Sequence, residues 1–345
     1  MKVGLIGLGR MGEGMSRRMM RDGIEVWGYR RNYAKAEEAY EKGYVSGITT
    51  TIEGLVQSVQ SDTVAGKVPG VFMMVVPAEN VEATLNELVP LLGDGDIIID
   101  HGNSNFKDSR RRAERLAKLG IQYLDCGTSG GVYGLDRGYC LMVGGNEIAV
   151  AVCAPIFRAL APGLSAAPRT DPNLYKISSE YGWLHCGGPG AGHFVKMVHN
   201  GVEYGIMQAY AEGFNLLHEA GAGRKYVAEG DAEVAPMEHP EDYCYDIDVF
   251  EVAELWRRGS VVGSWLLDLT ADVLRHDSNG LEKFDGGVSD SGEGRWTLHA
   301  AVDLGVPTPV ISAALFERFN SRKLAGYANR ILNGMRYMFG GHNVR

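Results

Sequence analysis

Val3-Gly4-Leu5-Ile6-Gly7-Leu8-Gly9-Arg10-Met11-Gly12 joins a short apolar run to a glycine-spaced turn, and residues of helical period follow from Gly14 to Arg21. A GxGxxG set between a strand and a helix predicts a dinucleotide-binding turn. Its glycines allow a tight bend and let a pyrophosphate approach the free N–H groups of the helix start. The motif alone is short, but a second strand, EVWGY ending at Tyr29, stands where such a unit needs one. Gly7, Gly9, Arg10, Met11 and Gly12 are therefore candidate cofactor contacts.

After that second strand an NAD site usually carries an acidic residue for the ribose hydroxyls, whereas this chain reads Arg30-Arg31-Asn32. Two guanidinium groups suit a 2′-phosphate, by paired charge-assisted bonds and by stacking on adenine, so NADP is expected ahead of NAD. A solvated turn would use the same residues, and one of the two arginines fits that description.

Further strand-like runs at Val71 to Val76, Ile97 to Asp100, Gln122 to Asp125 and Tyr139 to Val143 alternate with helical patterns at Ala34 to Glu41, Val81 to Leu92 and Ser109 to Leu119. The alternation predicts an α/β, Rossmann-type, doubly wound and largely parallel sheet over 1–188. Ligands of such sheets lie at the carboxyl ends of the strands. The turns there are Val76-Pro77-Ala78, His101-Gly102-Asn103-Ser104 and Gly127-Thr128-Ser129-Gly130-Gly131. The last can offer backbone N–H groups to a carboxylate, although a plain loop would also use glycines. Ala161 to Cys186, irregular and rich in proline, reads as an exposed excursion before a boundary near Gly188.

The 345 residues suffice for roughly two domains. A formal charge of -9 and a pI near 5.5 argue against nucleic acid or an anionic membrane as the main partner. The five scattered cysteines form no CxxC pair and no metal-ligand spacing with histidine, which predicts reduced thiols, a cytoplasmic setting and no metal. The chain opens on a strand-like run with no leader or long apolar segment, so neither secretion nor membrane insertion is expected.

The second half, 189–345, reads as all-α and begins with GAGHFVKMVHNGVEYG, Gly190 to Gly205. Lys196, His199, Asn200, Glu203 and Tyr204 fall on one stripe of one helix, with Val195, Met197, Val198 and Val202 on the other faces. The helix is expected to be buried nearly all round. Polar groups in such a seam need a ligand or one another, which leaves a lined cleft or an internally satisfied network. Farther on, the acidic run Tyr226 to Asp248 reads as a solvated connection, and Val249 to Leu255, Val261 to Leu274 and Ala313 to Arg322 as helices. Val288 to Thr297 is a glycine-spaced loop with charged groups, and the aromatic tail Arg336 to His342 is expected to dock rather than fray.

Together these residues resemble the 6-phosphogluconate dehydrogenases, in the short bacterial form, across nearly the whole chain. GLGRMG is similar to the family's fingerprint, DHGNSN to its cofactor and substrate loop, GTSGG to its carboxylate-binding turn and RYMFGGH to its RxYFGxH tail. GPGAGHFVKMVHNGVEYG is the most specific segment. The resemblance implies Lys196 as general base and Glu203 as the acid that protonates the enediol. It implies Ser129, Gly130, Gly131 and His199 on the substrate carboxylate, with Asn103 and Asn200 on sugar hydroxyls or the nicotinamide. Tyr204 and Arg318 would face the phosphate end, with Arg336 and His342 supplied by a partner chain, so a homodimer or homotetramer is expected. Val76 and Pro77 join the cofactor contacts.

Two departures stand out. The long enzymes carry KGTGxW before the tryptophan, where this chain has Ser291 and Glu293, and Arg295 is the cation expected to compensate. Many short relatives carry an aspartate near Arg30-Arg31, whereas Arg31 aligns with the arginine of the NADP-using long enzymes. Other β-hydroxyacid dehydrogenases, of the 3-hydroxyisobutyrate or semialdehyde type, share the fingerprint, the SGG turn and the lysine. A non-catalytic NADP-binding regulator would have no reason to keep Lys196, Asn200 and Glu203 on one face.

Overall fold

The computed structural model describes residues 1–60, 68–173, 175, 177–226, 235–276 and 280–340. The chain divides into two compact units, Met1–His199 and Asn200–Arg345. The first contains β1 (Lys2–Ile6), α1 (Arg10–Arg21), β2 (Glu25–Tyr29), α2 (Tyr33–Glu41), β3 (Gly47–Thr49), α3 (Ile52–Gln60), β4 (Val71–Met74), α4 (Val81–Leu88), β5 (Ile97–Asp100), α5 (Phe106–Ala117), β6 (Gln122–Ser129), α6 (Gly134–Arg137), β7 (Cys140–Gly144), α7 (Glu147–Leu160), α8 (Ser178–Tyr181) and β8 (Trp183–Gly187). Helix α9 (Ala191–His218) begins in the first unit and continues into the second, which adds α10 (Val249–Trp256), α11 (Trp265–His276), α12 (Glu293–Leu304), α13 (Pro309–Ser321) and α14 (Gly326–Gly340).

The sheet runs β3-β2-β1-β4-β5-β6-β7-β8 and is parallel except between β6 and β7. The expected doubly wound sheet is present, and its order reverses direction between β1 and β4, where such folds open a ligand crevice. Alternate residues of each central strand feed opposite cores. Val3, Leu5, Met73, Ile97, Ile99 and Leu124 pack on one face, and Ile6, Phe72, Met74, Ile98 and Tyr123 on the other. Burial on both faces explains why these strands read as continuous apolar runs rather than alternating ones.

Three parts of the first unit differ from the sequence expectation. The segment read as an excursion ends in β8, which pairs in parallel with β7 and belongs to the sheet. The short pair β3 and α3 lies between the second and third strands named from sequence. Helix α7 carries Pro155 inside it, and its apolar face joins the core beside β7.

The opening helix of the second half is divided by the contacts it makes. Its first turns pack so closely on the sheet that a Cβ on Gly192 would stand 2.4 Å from the carbonyl oxygens of Asp125 and Met142. The division between units therefore falls within α9, at His199 and Asn200. The helix is not buried all round either: Val195 is 39% and Val202 48% exposed, seven residues apart on one face.

The second unit is helical, as expected, and has two small cores. One joins Phe214, Ala253, Leu267 and Ala271; the other joins Tyr204, Ala314 and Leu315. Helix α11 starts at Trp265, later than the periodicity of Val261 suggested, and Val261 is fully exposed. The expected tail is helix from Gly326 to Gly340, so Arg336 sits in a regular helix without a buried residue, and His342 lies outside the described residues. Part of the acidic run, 227–234, is also outside them. Among the described residues no helix is long and apolar enough to cross a membrane.

Candidate active site

The glycine turn is built for a close approach by a ligand. Gly7 has φ 107° and a Cβ there would lie 2.2 Å from the Val75 carbonyl oxygen, while one on Gly12 would lie 2.0 Å from the Gly7 carbonyl oxygen. Neither position admits a side chain. Gly9, the residue before α1, faces open space that a side chain would fill, so a phosphate can rest on the N–H groups of Arg10, Met11 and Gly12. Beside it a cavity of about 190 Å³ is lined by Gly7, Tyr29, Arg30, Arg31, Val76 and Pro77. These residues fit a dinucleotide: pyrophosphate at the helix start, adenosine in the cavity.

The two arginines differ in placement. Arg30 donates from Nη1 to the Leu8 carbonyl oxygen and stands 3.8 Å from Glu13, so it braces the glycine turn. Arg31 extends into solvent, with Glu87 4.0 Å away. Both line the cavity, but Arg31 is the more exposed of the two and is not held on the glycine turn.

Around Lys196, three expected residues converge within the first unit. Lys196 is buried, its Nζ 3.5 Å from His199 Nδ1, and His199 Nε2 is 3.4 Å from Ser129 Oγ. The imidazole thus spans the lysine and the SGG turn. This approach depends on Gly127, where a Cβ would stand 2.3 Å from the Lys196 Cβ. Ser129 ends β6, and Gly130 and Gly131 turn away from it with φ 137° and 54°. Asn103 is exposed in the turn after β5.

Several buried polar groups supporting this cluster were not identified from sequence. Asp125 Oδ1 accepts from the Gly190 N–H at 2.7 Å and Oδ2 from the His193 N–H at 2.8 Å, so a carboxylate from β6 caps α9. His193 Nδ1 meets Ser109 Oγ at 2.7 Å. Asp100 accepts from the Gly102 N–H, the Ser104 hydroxyl and the Tyr123 hydroxyl, which fixes the turn before Asn103. Thr128 donates to the Cys126 carbonyl oxygen, so its oxygen accepts from His101 Nδ1 at 3.0 Å. Burial depresses the His101 imidazole to about 4; Asp100 opposes this and His193 adds to it. The sequence signal was their neighbourhood to glycine turns: Gly102, Ser104 and Cys126 bond within four residues, whereas the partners that join one segment to another are distant in the chain.

In the second unit, α9 carries Asn200 and Tyr204, both buried, and Glu203, partly buried. The Arg318 guanidinium lies 3.6 Å from the Tyr204 ring centroid and donates to the Ser289 carbonyl oxygen at 2.6 Å. Arg295 is otherwise engaged than expected. It makes a two-bond pair with Asp290, at 2.7 and 3.1 Å, and Arg322 joins the same carboxylate at 2.9 Å. The Asp290 side chain is 1% exposed, and both arginines hold its carboxyl below the usual range, Arg295 the more strongly. Arg295, the cation expected to compensate for the altered loop, thus shares the Asp290 carboxylate with Arg322, and the three side chains together keep one positive charge. Glu293 is buried at the start of α12 and accepts from the Ser291 hydroxyl at 2.6 Å. Among the described residues no group of three or more histidine, cysteine or acidic side chains is arranged to hold a metal ion.

Comparison with known proteins shows the family. Residues 2–168 match the NAD binding domain of 6-phosphogluconate dehydrogenase, and 192–229 with 245–336 match the 6-phosphogluconate dehydrogenase C-terminal domain. An NAD(+)-dependent decarboxylating 6-phosphogluconate dehydrogenase of Haloferax volcanii is 37% identical over 100% of this chain and 98% of its own length. The Plasmodium falciparum 6-phosphogluconate dehydrogenase, solved alone, with NADP+ and with 6-phosphogluconate, superposes with a TM-score of 0.74 at 26% identity; the match covers 96% of this chain and 65% of that longer one. The 3-hydroxyisobutyrate dehydrogenase of Salmonella typhimurium, at 21% identity and a TM-score of 0.64, shares the fold. The first unit is an NAD(P)-binding domain, and the chain belongs to the 6-phosphogluconate dehydrogenase family.

Proposed function

We propose that this protein oxidises 6-phospho-D-gluconate at C3 and releases carbon dioxide, giving D-ribulose 5-phosphate, with NADP preferred and NAD accepted. The observation that carries this reading is the partly buried contact sequence Lys196, His199, Ser129, in which a base, an imidazole and a carboxylate-binding turn meet. The glycine turn, Val76, Pro77 and Arg31 would hold the nucleotide, whose nicotinamide accepts hydride from C3 when bound. Lys196 Nζ takes the C3 hydroxyl proton, which requires the amine to be neutral when substrate arrives. The product ketone is β to the carboxylate. The C1–C2 bond then breaks, carbon dioxide leaves, and the electron pair enters the C2–C3 enolate, whose oxygen protonated Lys196 stabilises. Glu203 donates a proton to the carbon that becomes C1 of ribulose 5-phosphate.

Ser129, the N–H groups of Gly130 and Gly131, and His199 would bind the carboxylate; Asn103 and Asn200 the hydroxyls or nicotinamide. Arg318, stacked on Tyr204, is the cation assigned to the phosphate, with Arg295 contributing only if it is drawn from Asp290. The exposed aromatic side chains of α14, with Tyr327 at 72% and Phe339 at 78%, support a homodimer or homotetramer in which Arg336 and His342 complete a neighbour's site. The test is to mix purified protein with 6-phosphogluconate and each cofactor. Absence of both reduced nucleotide and ribulose 5-phosphate rejects the reading.

A further inference from the structure

Arg31 and Glu87 line the same cavity beside the glycine turn. Arg31 follows β2. Glu87 lies on α4, one turn beyond Thr84 and two beyond Asn80, so all three present one helix face to the cavity. The Arg31 Nη2 to Glu87 Oε1 separation is 4.0 Å, and the side chains are 66% and 53% exposed. Arg30, the neighbouring cation, is drawn the other way, onto the Leu8 carbonyl oxygen and toward Glu13.

We infer that Glu87 sets the discrimination between NADP and NAD by competing with the 2′-phosphate for Arg31. This rests on the reading that Arg31 serves the 2′-phosphate. The carboxylate is already within ion-pair range of the guanidinium and lines the same cavity. A phosphate reaching Arg31 must displace that partner and meet its negative charge, whereas a ribose hydroxyl carries no charge to repel. Both groups are solvated, so the effect is modest and screened by salt. Glu87 therefore moderates the preference that Arg31 creates and keeps NAD usable.

The experiment measures binding rather than turnover, with adenosine 2′,5′-bisphosphate and 5′-AMP as probes, by calorimetry on the full chain. The readout is the ratio of the two dissociation constants in wild type, Glu87→Gln, Arg31→Ala and the double variant. Glu87→Gln is expected to shift the ratio about two- to fivefold toward the bisphosphate, the size of a solvated ion pair. The gain should shrink on raising salt and vanish in the Arg31→Ala background. An unchanged ratio in Glu87→Gln, when Arg31→Ala does shift it, overturns the inference and leaves the 2′-phosphate role of Arg31 standing. A gain that persists without Arg31 overturns the competition. A ratio indifferent to Arg31→Ala rejects the underlying NADP reading itself.

Discussion

Acidification should loosen the first unit through His101, and the size of the effect follows from its surroundings. The ring is buried, donates from Nδ1 to Thr128, and has its Nε2 enclosed without a hydrogen-bond partner among the described residues. Protonation inside the fold is held down to about 4, against an ordinary value of 6.5, mainly by loss of hydration. Between these values the unfolded chain binds a proton that the native ring refuses, so stability is unaffected above 6.5 and falls as the pH drops toward 4. The interval of 2.5 pH units, at about 1.4 kcal/mol each, amounts to about 3 to 4 kcal/mol. His101→Gln keeps a donor for Thr128 but does not titrate. At pH 7 it is expected to be less stable than wild type by about 1 to 2 kcal/mol, from imperfect packing. At pH 4.5 that gap should close or reverse. Native-state hydrogen exchange at Ile98 and Leu124, in the central strands β5 and β6, reads the opening free energy of this unit directly. Parallel pH curves for the two proteins would refute the reasoning, as would an imidazole resonance of His101 that titrates above pH 6.

Other expectations follow from the site. Lys196→Met should lower kcat by about 10²- to 10⁴-fold with cofactor binding retained, checked by turnover and nucleotide titration. In Arg31→Asp, kcat/KM for NADP should fall far more than for NAD; equal losses in steady-state kinetics contradict a 2′-phosphate contact. Asp125→Ala strands two buried N–H groups at the start of α9 and should cost about 2 to 4 kcal/mol, seen as a lower Tm and weaker exchange protection at His193.

What could be read directly from the sequence was local. The strand, glycine turn and helix from Lys2 to Arg21 are specified by neighbours in the chain, so the dinucleotide unit was legible there. Lys196, His199, Asn200, Glu203 and Tyr204 were legible as one stripe because helical period alone aligns them. β8 was not, since an irregular stretch at a sheet edge carries little pattern and gains its strand conformation by pairing with β7. The polar supports depended on partners far apart: Ser109 and His193 are 84 positions apart, Asp125 and His193 68. Charge was legible as residue type but not as availability. Arg30 and Arg31 are identical in sequence terms, yet one braces the glycine turn and the other faces Glu87. Arg295 is legible as a cation in the altered loop, but its pairing with Asp290 alongside Arg322 is not. Those assignments belong to tertiary structure, because an ion pair is decided by which distant side chain the fold brings within a few ångströms.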